Sequence, residues 1–408
     1  MIVAFDTWIL GTSRRCDGYH VYAKRLLLEL ERILQTYSGI EICPFILPGF
    51  SNDANDFIGS TGLKPVRSES LGSHPYLWWA ASAQLSSRKI NADLLFCPTP
   101  RILPSGLVPT VTMIADTTPL RIPSMIKRRG FLDRAFLNVS SRLSEKIVTI
   151  SECSKRDIVE FYGIKPEKIA VTYLSFDRTI FNREPAPQAQ QQALFQRLGI
   201  RRPFIVHHGS VHIRKNLIRL IEAYSSLLER RRSVDCDLVL VGTNAWGHQQ
   251  ILEAAQRVKH GRVIVTGPLP DEDLAMILKG ASAEVIPSLY EGFCLPMLEA
   301  MACGTPTITS NNSCLPEVSG NTLRYFDPLS IEDVSARIED VLCDSALRLQ
   351  ISSAGLKRAS EFSWTKCARE TLMTLIDSYQ KVSGRTVRAP DLPSVEGTTS
   401  RLPMMNAQ

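Results

Sequence analysis

IPSLYEGFCLPMLEAMACGT, residues Ile286–Thr305, reads as the end of a strand, a turn, and a helix opened by Pro296. Proline suits a helix start because that position needs no amide donor. The exposed amides and positive dipole end of such a helix attract a phosphate or pyrophosphate. Glu291 stands just before that end, and Glu299 follows about one turn further in. Either glutamate alone is explained by a face turned to water, since Glu is rarely buried unless paired. Two of them flanking Gly292-Phe293, between a buried strand and an apolar helix, point instead to a carboxylate pair. Such a pair grips hydroxyls of a ligand whose phosphates sit on the helix terminus.

Outward from this stretch the pattern is strand and helix in alternation. Short apolar runs fall at 2–5, 40–47, 93–97, 108–115, 146–150 and 168–173, then at 203–208, 237–241, 263–266, 283–287 and 305–309. Helical spacing is read at 21–34, 76–88, 131–143 and 153–162, then at 215–230, 249–259, 271–280, 295–303, 330–342 and 365–381. Continuous apolar strands between helices predict parallel sheets covered on both faces. A Pro- and Gln-rich stretch at 177–197 reads as an inter-domain linker. The pattern predicts an α/β chain of two doubly wound domains facing across a cleft, with ligands beyond the strand carboxyl ends.

The length of 408 residues also favours two domains. A net charge of +6 suits anionic ligands or an acidic membrane surface. No basic run interleaved with aromatics resembles a nucleic-acid-binding module. Ten scattered cysteines lack any C-x-x-C pair, which argues against a zinc cluster or disulfide framework and predicts a reducing, cytoplasmic setting. The start lacks a signal-peptide pattern, and no apolar stretch reaches bilayer length, so membrane contact is expected to be peripheral at most. One candidate for it is the cationic and apolar stretch 121–137, which includes Lys127, Arg128 and Arg129; its alternative is a solvated loop before an ordinary helix. Asp235-Cys236-Asp237 fits a metal-chelating D-x-D pattern but precedes an apolar run, which favours a strand start without metal. His207 and His208 end a strand and read as structural or cleft-facing, while His212 is the better candidate for ligand contact.

Tyr290–Ala300 resembles the paired-glutamate motif of the retaining glycosyltransferases of family 4, which have the GT-B fold. Gly209-Ser-Val-His-Ile-Arg-Lys-Asn216 is similar to that family's phosphate loop, and Val241–Trp246 and Val265–Leu274 to its segments around the nucleotide base. Leu315–Val318, Tyr325–Pro328, Ile150–Glu152, Ser154–Asp157 and Lys168–Val171 are family-like too. The resemblance implies an acceptor-side Rossmann-like domain at 1–182, a nucleotide-sugar-binding domain at 183–363, a helix 364–382 packing back on the first, and a disordered tail 383–408. It implies a metal-independent hexosyltransferase, without cofactor, that takes a nucleoside-diphosphate sugar. The first donor is GDP-mannose, with UDP-glucose and UDP-N-acetylglucosamine as alternatives, and the acceptor is a glycan or lipid-linked saccharide of surface polysaccharide synthesis. Rival readings are a sugar-nucleotide epimerase and a non-catalytic sugar-nucleotide-binding subunit.

By the same resemblance Arg214 and Lys215 neutralise the diphosphate, Glu299 holds the ribose hydroxyls, and Glu291 holds the donor sugar with the amides of Gly292 and Phe293. Donor contacts are also implied for Gly18, Gly209, Ser210, Gly242, Gly267, Leu269 and Leu295. The chain departs from the family at Ala115, where many members carry a histidine. That leaves Asp116, which either binds an acceptor hydroxyl or caps the next turn. Leu174-Ser175 also replaces the usual Asn-Gly after the sixth strand, and Ser210 stands where some members have arginine.

Overall fold

Leu94–Cys97, Phe204–His208, Asp237–Val241 and Ala283–Ile286 are buried residue by residue, without the alternation of a strand that has one wet face. Strands of this kind need helices on both sides. The computed structural model, which describes residues 1–11, 18–35, 37–47, 52–68, 78–100, 106–122, 130–201 and 203–390, has that arrangement twice.

The first sheet contains β1 (Ile2–Phe5), β2 (Glu41–Ile46), β3 (Val66–Arg67), β4 (Leu94–Cys97), β5 (Thr110–Met113), β6 (Lys146–Thr149) and β7 (Ile169–Val171), in the order β3-β2-β1-β4-β5-β6-β7. The second contains β8 (Phe204–His208), β9 (Asp237–Val241), β10 (Arg262–Gly267), β11 (Ala283–Ile286), β12 (Thr307–Ser310) and β13 (Arg324–Phe326), in the order β10-β9-β8-β11-β12-β13. Their pairings are parallel. In each sheet the order reverses beside the first strand, and open α/β sheets bind ligands at that switch point, beyond the strand carboxyl ends.

The chain divides into two units, one from Met1–Leu174 with the segment that begins at Ser363, the other from Ser175–Phe362. Phe5, Phe45, Phe96 and Trp78 fill the first core, with Trp78 edge-on to Phe45 at 5.7 Å. Helix Trp364–Ser383 belongs to that unit and packs on helix Gly18–Leu34. Thr365 Oγ1 donates there to Glu29 Oε2 at 2.8 Å. Phe204, Tyr224 and Phe326 are fully enclosed in the second core.

Several expectations need correction. The stretch 177–197 is not an open linker, because Gln188–Leu198 is a helix that buries Leu194 and Phe195. Phe195 packs edge-on against Phe204 at 5.4 Å, and Gln191 Nε2 donates to Met276 O at 2.7 Å. Glutamine is a good helix former, so a Gln-rich run with two apolar neighbours makes a docked helix once a partner is present. The division at Leu174/Ser175 also lies upstream of the expected 182/183. Leu174 and Ser175, both buried, follow the seventh strand once β3 is counted. Residues 384–390 are held where disorder was expected: Gln380 Nε2 donates to Val387 O at 3.1 Å, and Tyr37 bonds to Arg388 O. Residues 391–408 of that tail lie outside the described residues.

Candidate active site

The site is built where β8 and β11 lie side by side at the switch point of the second sheet. After His208 the chain turns at Gly209, whose φ is 127°, and its N–H donates to Val241 O at 2.9 Å. Gly242, at φ 149°, meets it from β9: a Cβ on Gly242 would lie 1.7 Å from Gly209 O. Only glycine permits that approach. Three more bonds join the loops, Val211 N–H to Thr243 O at 2.8 Å, Ala245 N–H to Val211 O at 3.0 Å and Ile213 N–H to Trp246 O at 2.9 Å. His212 Nδ1 then accepts the Arg214 N–H at 2.9 Å and caps the single turn Ile213–Lys215. Asn216, at φ 57°, redirects the chain into helix Leu217–Arg230.

The β11 loop is fastened to this turn. Leu289 N–H donates to Arg214 O at 3.0 Å, and Ser313 Oγ accepts the Glu291 N–H at 3.1 Å. Cys294 takes a left-handed conformation before helix Leu295–Ala302, with Pro296 in its first turn. The backbone therefore brings Arg214 and Lys215 to the paired-glutamate stretch. Arg214 Nη1 lies 2.6 Å from Glu291 Oε2 and 2.7 Å from Tyr290 O, and Lys215 Nζ lies 2.7 Å from Glu291 Oε1. Lys215 and Glu291 are buried, and Arg214 is about one-fifth exposed at 19%. Burial alone would raise the Glu291 pKa, but Arg214 and then Lys215 hold it well below the usual carboxylate range. Two cations against one carboxylate leave excess positive charge, which an anion can neutralise.

A second cluster lies beside the first. His208 Nδ1 is 2.7 Å from Glu284 Oε1 and Nε2 is 3.0 Å from Glu299 Oε2. Burial works against a charged imidazole, yet Glu284 and Glu299 outweigh it and raise His208 to about 10. His207, paired to Val285 O at 2.9 Å, is pushed down to about 3 by burial and by Lys215. Sequence reasoning overlooked Glu284. Its signal was a glutamate inside the otherwise apolar, fully buried run Ala283–Ile286.

The expected donor residues of the second unit gather at the carboxyl ends of β8 to β11. Gly209 and Ser210 follow β8 and Gly242 follows β9, its N–H donating to Gly267 O at 3.0 Å; Leu269 lies just beyond β10. Gly292 is buried, and Leu295 and Glu299 are half-buried. Phe293 is 2% exposed and edge-on to Phe362 at 5.8 Å, so its side chain belongs to the core. His212 serves as the cap described above. Asp116 and Gly18 belong to the first unit. Asp116 Oδ1 accepts the Thr118 N–H at 3.0 Å, which is the turn-capping arrangement, and Gly18 opens an exposed helix end. Ala115 N–H donates to the Tyr19 hydroxyl at 3.1 Å. Asp237 of the D-x-D pattern starts β9 and accepts the Arg201 N–H at 3.0 Å. Among the described residues no group of three His, Cys, Asp or Glu side chains is placed to hold a metal ion, and no helix is long and apolar enough to cross a membrane. Arg121 pairs with Asp157 and Glu160, whereas Lys127, Arg128 and Arg129 lie outside the described residues.

Residues 190–358 match the family described as Glycosyl transferases group 1. The chain is 31% identical over 276 residues to the O-antigen chain mannosyltransferase B of Escherichia coli, across 66% of this chain and 71% of that protein. It is 29% identical over 315 residues to the serotype-specific mannosyltransferase WbdA of Escherichia coli, across 72% of this chain but only 38% of that longer protein. The solved sucrose-phosphate synthase from Thermosynechococcus elongatus superposes with a TM-score of 0.70 at 16% identity, over 94% of this chain and 99% of that one, a likeness of fold. The chain belongs to the group 1 glycosyltransferases and has their GT-B fold of two Rossmann-like units.

Proposed function

We propose that this glycosyltransferase takes a hexose, with mannose from GDP-mannose as the first candidate, and adds it with retained configuration to a glycan or lipid-linked saccharide in surface polysaccharide synthesis. The observation that carries the reading is the Arg214–Lys215–Glu291 cluster at the switch point of the second sheet. As the bond from the sugar C1 to the diphosphate breaks, its electron pair goes to the phosphate oxygen. The excess positive charge beside it stabilises that leaving group, the task a metal ion performs in other transferases. On this reading no metal is required. Glu299 takes the ribose hydroxyls, and Asp116 of the first unit is the candidate to bind an acceptor hydroxyl. The named relatives, both mannosyltransferases, support mannose over glucose and N-acetylglucosamine.

Incubation with GDP-mannose, UDP-glucose and UDP-N-acetylglucosamine, read by nucleotide release and sugar transfer, tests this. The expected result is GDP release with mannose transfer, reduced on the order of 10²-fold in Lys215→Ala. An isomerised donor would identify an epimerase, and binding without turnover a non-catalytic subunit, which Ala115 favours. If Glu299→Ala and Lys215→Ala both turned over like the unmodified chain, the site assignment would fail.

A further inference from the structure

We infer that His208, anchored by Glu284, is a positioning residue that fixes the Glu299 carboxylate for the ribose of the donor; this rests on the reading that Glu299 binds ribose hydroxyls. Four observations converge on it. His208 ends β8 and Glu284 lies on the neighbouring β11, so the pair is set by the sheet itself. Both are enclosed, with side chains 3% and 0% exposed, and a charged pair in such a place needs a role or a close partner. Glu284 Oε1 faces Nδ1, and its other oxygen, Oε2, has no hydrogen-bond partner among the described residues. Nε2 meets Glu299 Oε2, while the Glu299 side chain stays 20% exposed on helix Leu295–Ala302.

The consequence is specific. A glutamate held by one oxygen in a fixed rotamer presents the other as an acceptor, so less side-chain freedom is lost when the ligand binds. With Nε2 donating to Oε2, the other oxygen of Glu299 is left to accept from the hydroxyls. That distinguishes a diol from its deoxygenated analogue, because an analogue lacking the hydroxyls leaves the second, partly desolvated oxygen of Glu299 without its donors. The groups that face His208 are Glu284 from β11, Glu299 from the helix, and neutral His207 beside it on β8. The thiols of Cys294 and Cys303 flank the two carboxylates and are pushed up to about 12 by burial, so they stay neutral.

The test uses the full chain and compares binding of GDP and UDP with that of their 2′,3′-dideoxy counterparts by calorimetry, with thermal melts as a folding control. The unmodified chain should favour the ribose form of its nucleotide by about tenfold or more, the factor that a lost buried hydrogen bond produces. In His208→Asn the amide reaches the Nδ1 position and not Nε2, and the preference should collapse towards one. His208→Gln places a donor near Glu299 and should retain much of it. Glu284→Gln, which leaves the imidazole intact, covers the case in which the His208 variants fail to fold. Without the Glu284 charge, which helps to hold the proton, His208 should lose it at lower pH than in the unmodified chain, and the ribose preference should fall as pH rises. An undiminished preference in His208→Asn, or a pH-independent one in Glu284→Gln, overturns the inference. If Glu299→Ala keeps the full preference, or if the unmodified chain shows none or binds neither nucleotide, then the ribose reading of Glu299 itself fails. That outcome is distinct from loss in Glu299→Ala with retention in His208→Asn.

Discussion

At the scale of single residues, Glu291 is the carboxylate whose removal separates structure from ligand binding. It balances Arg214 and Lys215 in a buried cluster, so Glu291→Gln leaves two cations facing a neutral amide. Breaking a buried pair from one side costs about 3–5 kcal/mol, because the remaining charge is uncompensated. The ligand-free variant is therefore expected to melt several degrees below the unmodified chain. Because an anion now neutralises more charge, the rise in Tm on adding GDP should be larger in the variant, although its Tm starts lower. Calorimetric melts with and without GDP would show this, and a smaller GDP shift would argue that no phosphate lies against Arg214 and Lys215. Acid adds a second readout. A carboxylate held below its unfolded value of 4.5 contributes stability above that pH and loses it as pH falls further. Glu291→Gln should lack that acid limb.

At the scale of elements, the phosphate loop depends on two glycines passing in contact. Gly242→Ala places a Cβ 1.7 Å from Gly209 O, which no side-chain movement relieves. Nucleotide binding should be lost and Tm should fall clearly. Gly267→Ala is the matched control: φ is 74° and nothing lies within 4 Å of its Cβ. It should cost only about 1–2 kcal/mol of left-handed strain, well short of the fall in Gly242→Ala. The interlock is invisible in the sequence because it joins residues from two separate strands. Legibility followed the same division elsewhere. The long buried strands were readable as continuous apolar runs; Glu291 and Glu299 stood out by their spacing, and Arg214 and Lys215 by the family resemblance of their loop. The edge strands β3, with two residues, and β13, with three, are too short to carry a period. Helix Ser345–Ser360 went unread because its few buried residues include Gly355 and Arg358, the latter donating to Val318 O at 2.8 Å. Helix Gln188–Leu198 shows the opposite case: its polar composition suggested a linker, and its apolar contacts with the second unit decide otherwise. Glu284 was conspicuous as a charge in an apolar strand, but its meaning depends on His208 across the sheet.

At the scale of the whole molecule, the chain leaves the first unit at Leu174 and returns to it at Ser363, so the first fold is completed only by the last described helix. Trp364, Leu372, Leu375, Ile376 and Tyr379 are all buried from that helix, together with Cys367 and Ala368. Each large apolar side chain contributes about 1.5–3 kcal/mol on burial, so five of them approach the entire 5–15 kcal/mol stability of a typical domain. A chain ending at Phe362 is therefore expected to lose the first unit as a folded body. The second unit, Ser175–Phe362, holds the Arg214–Lys215–Glu291 cluster by itself. Nucleotide binding should then survive truncation while sugar transfer disappears. Limited proteolysis followed by calorimetry with GDP and UDP separates the outcomes: a resistant fragment starting near Ser175 that still binds nucleotide is expected. Persistence of transfer would show that the first unit folds without its closing helix, and loss of nucleotide binding would show that the second unit needs the first to hold its site.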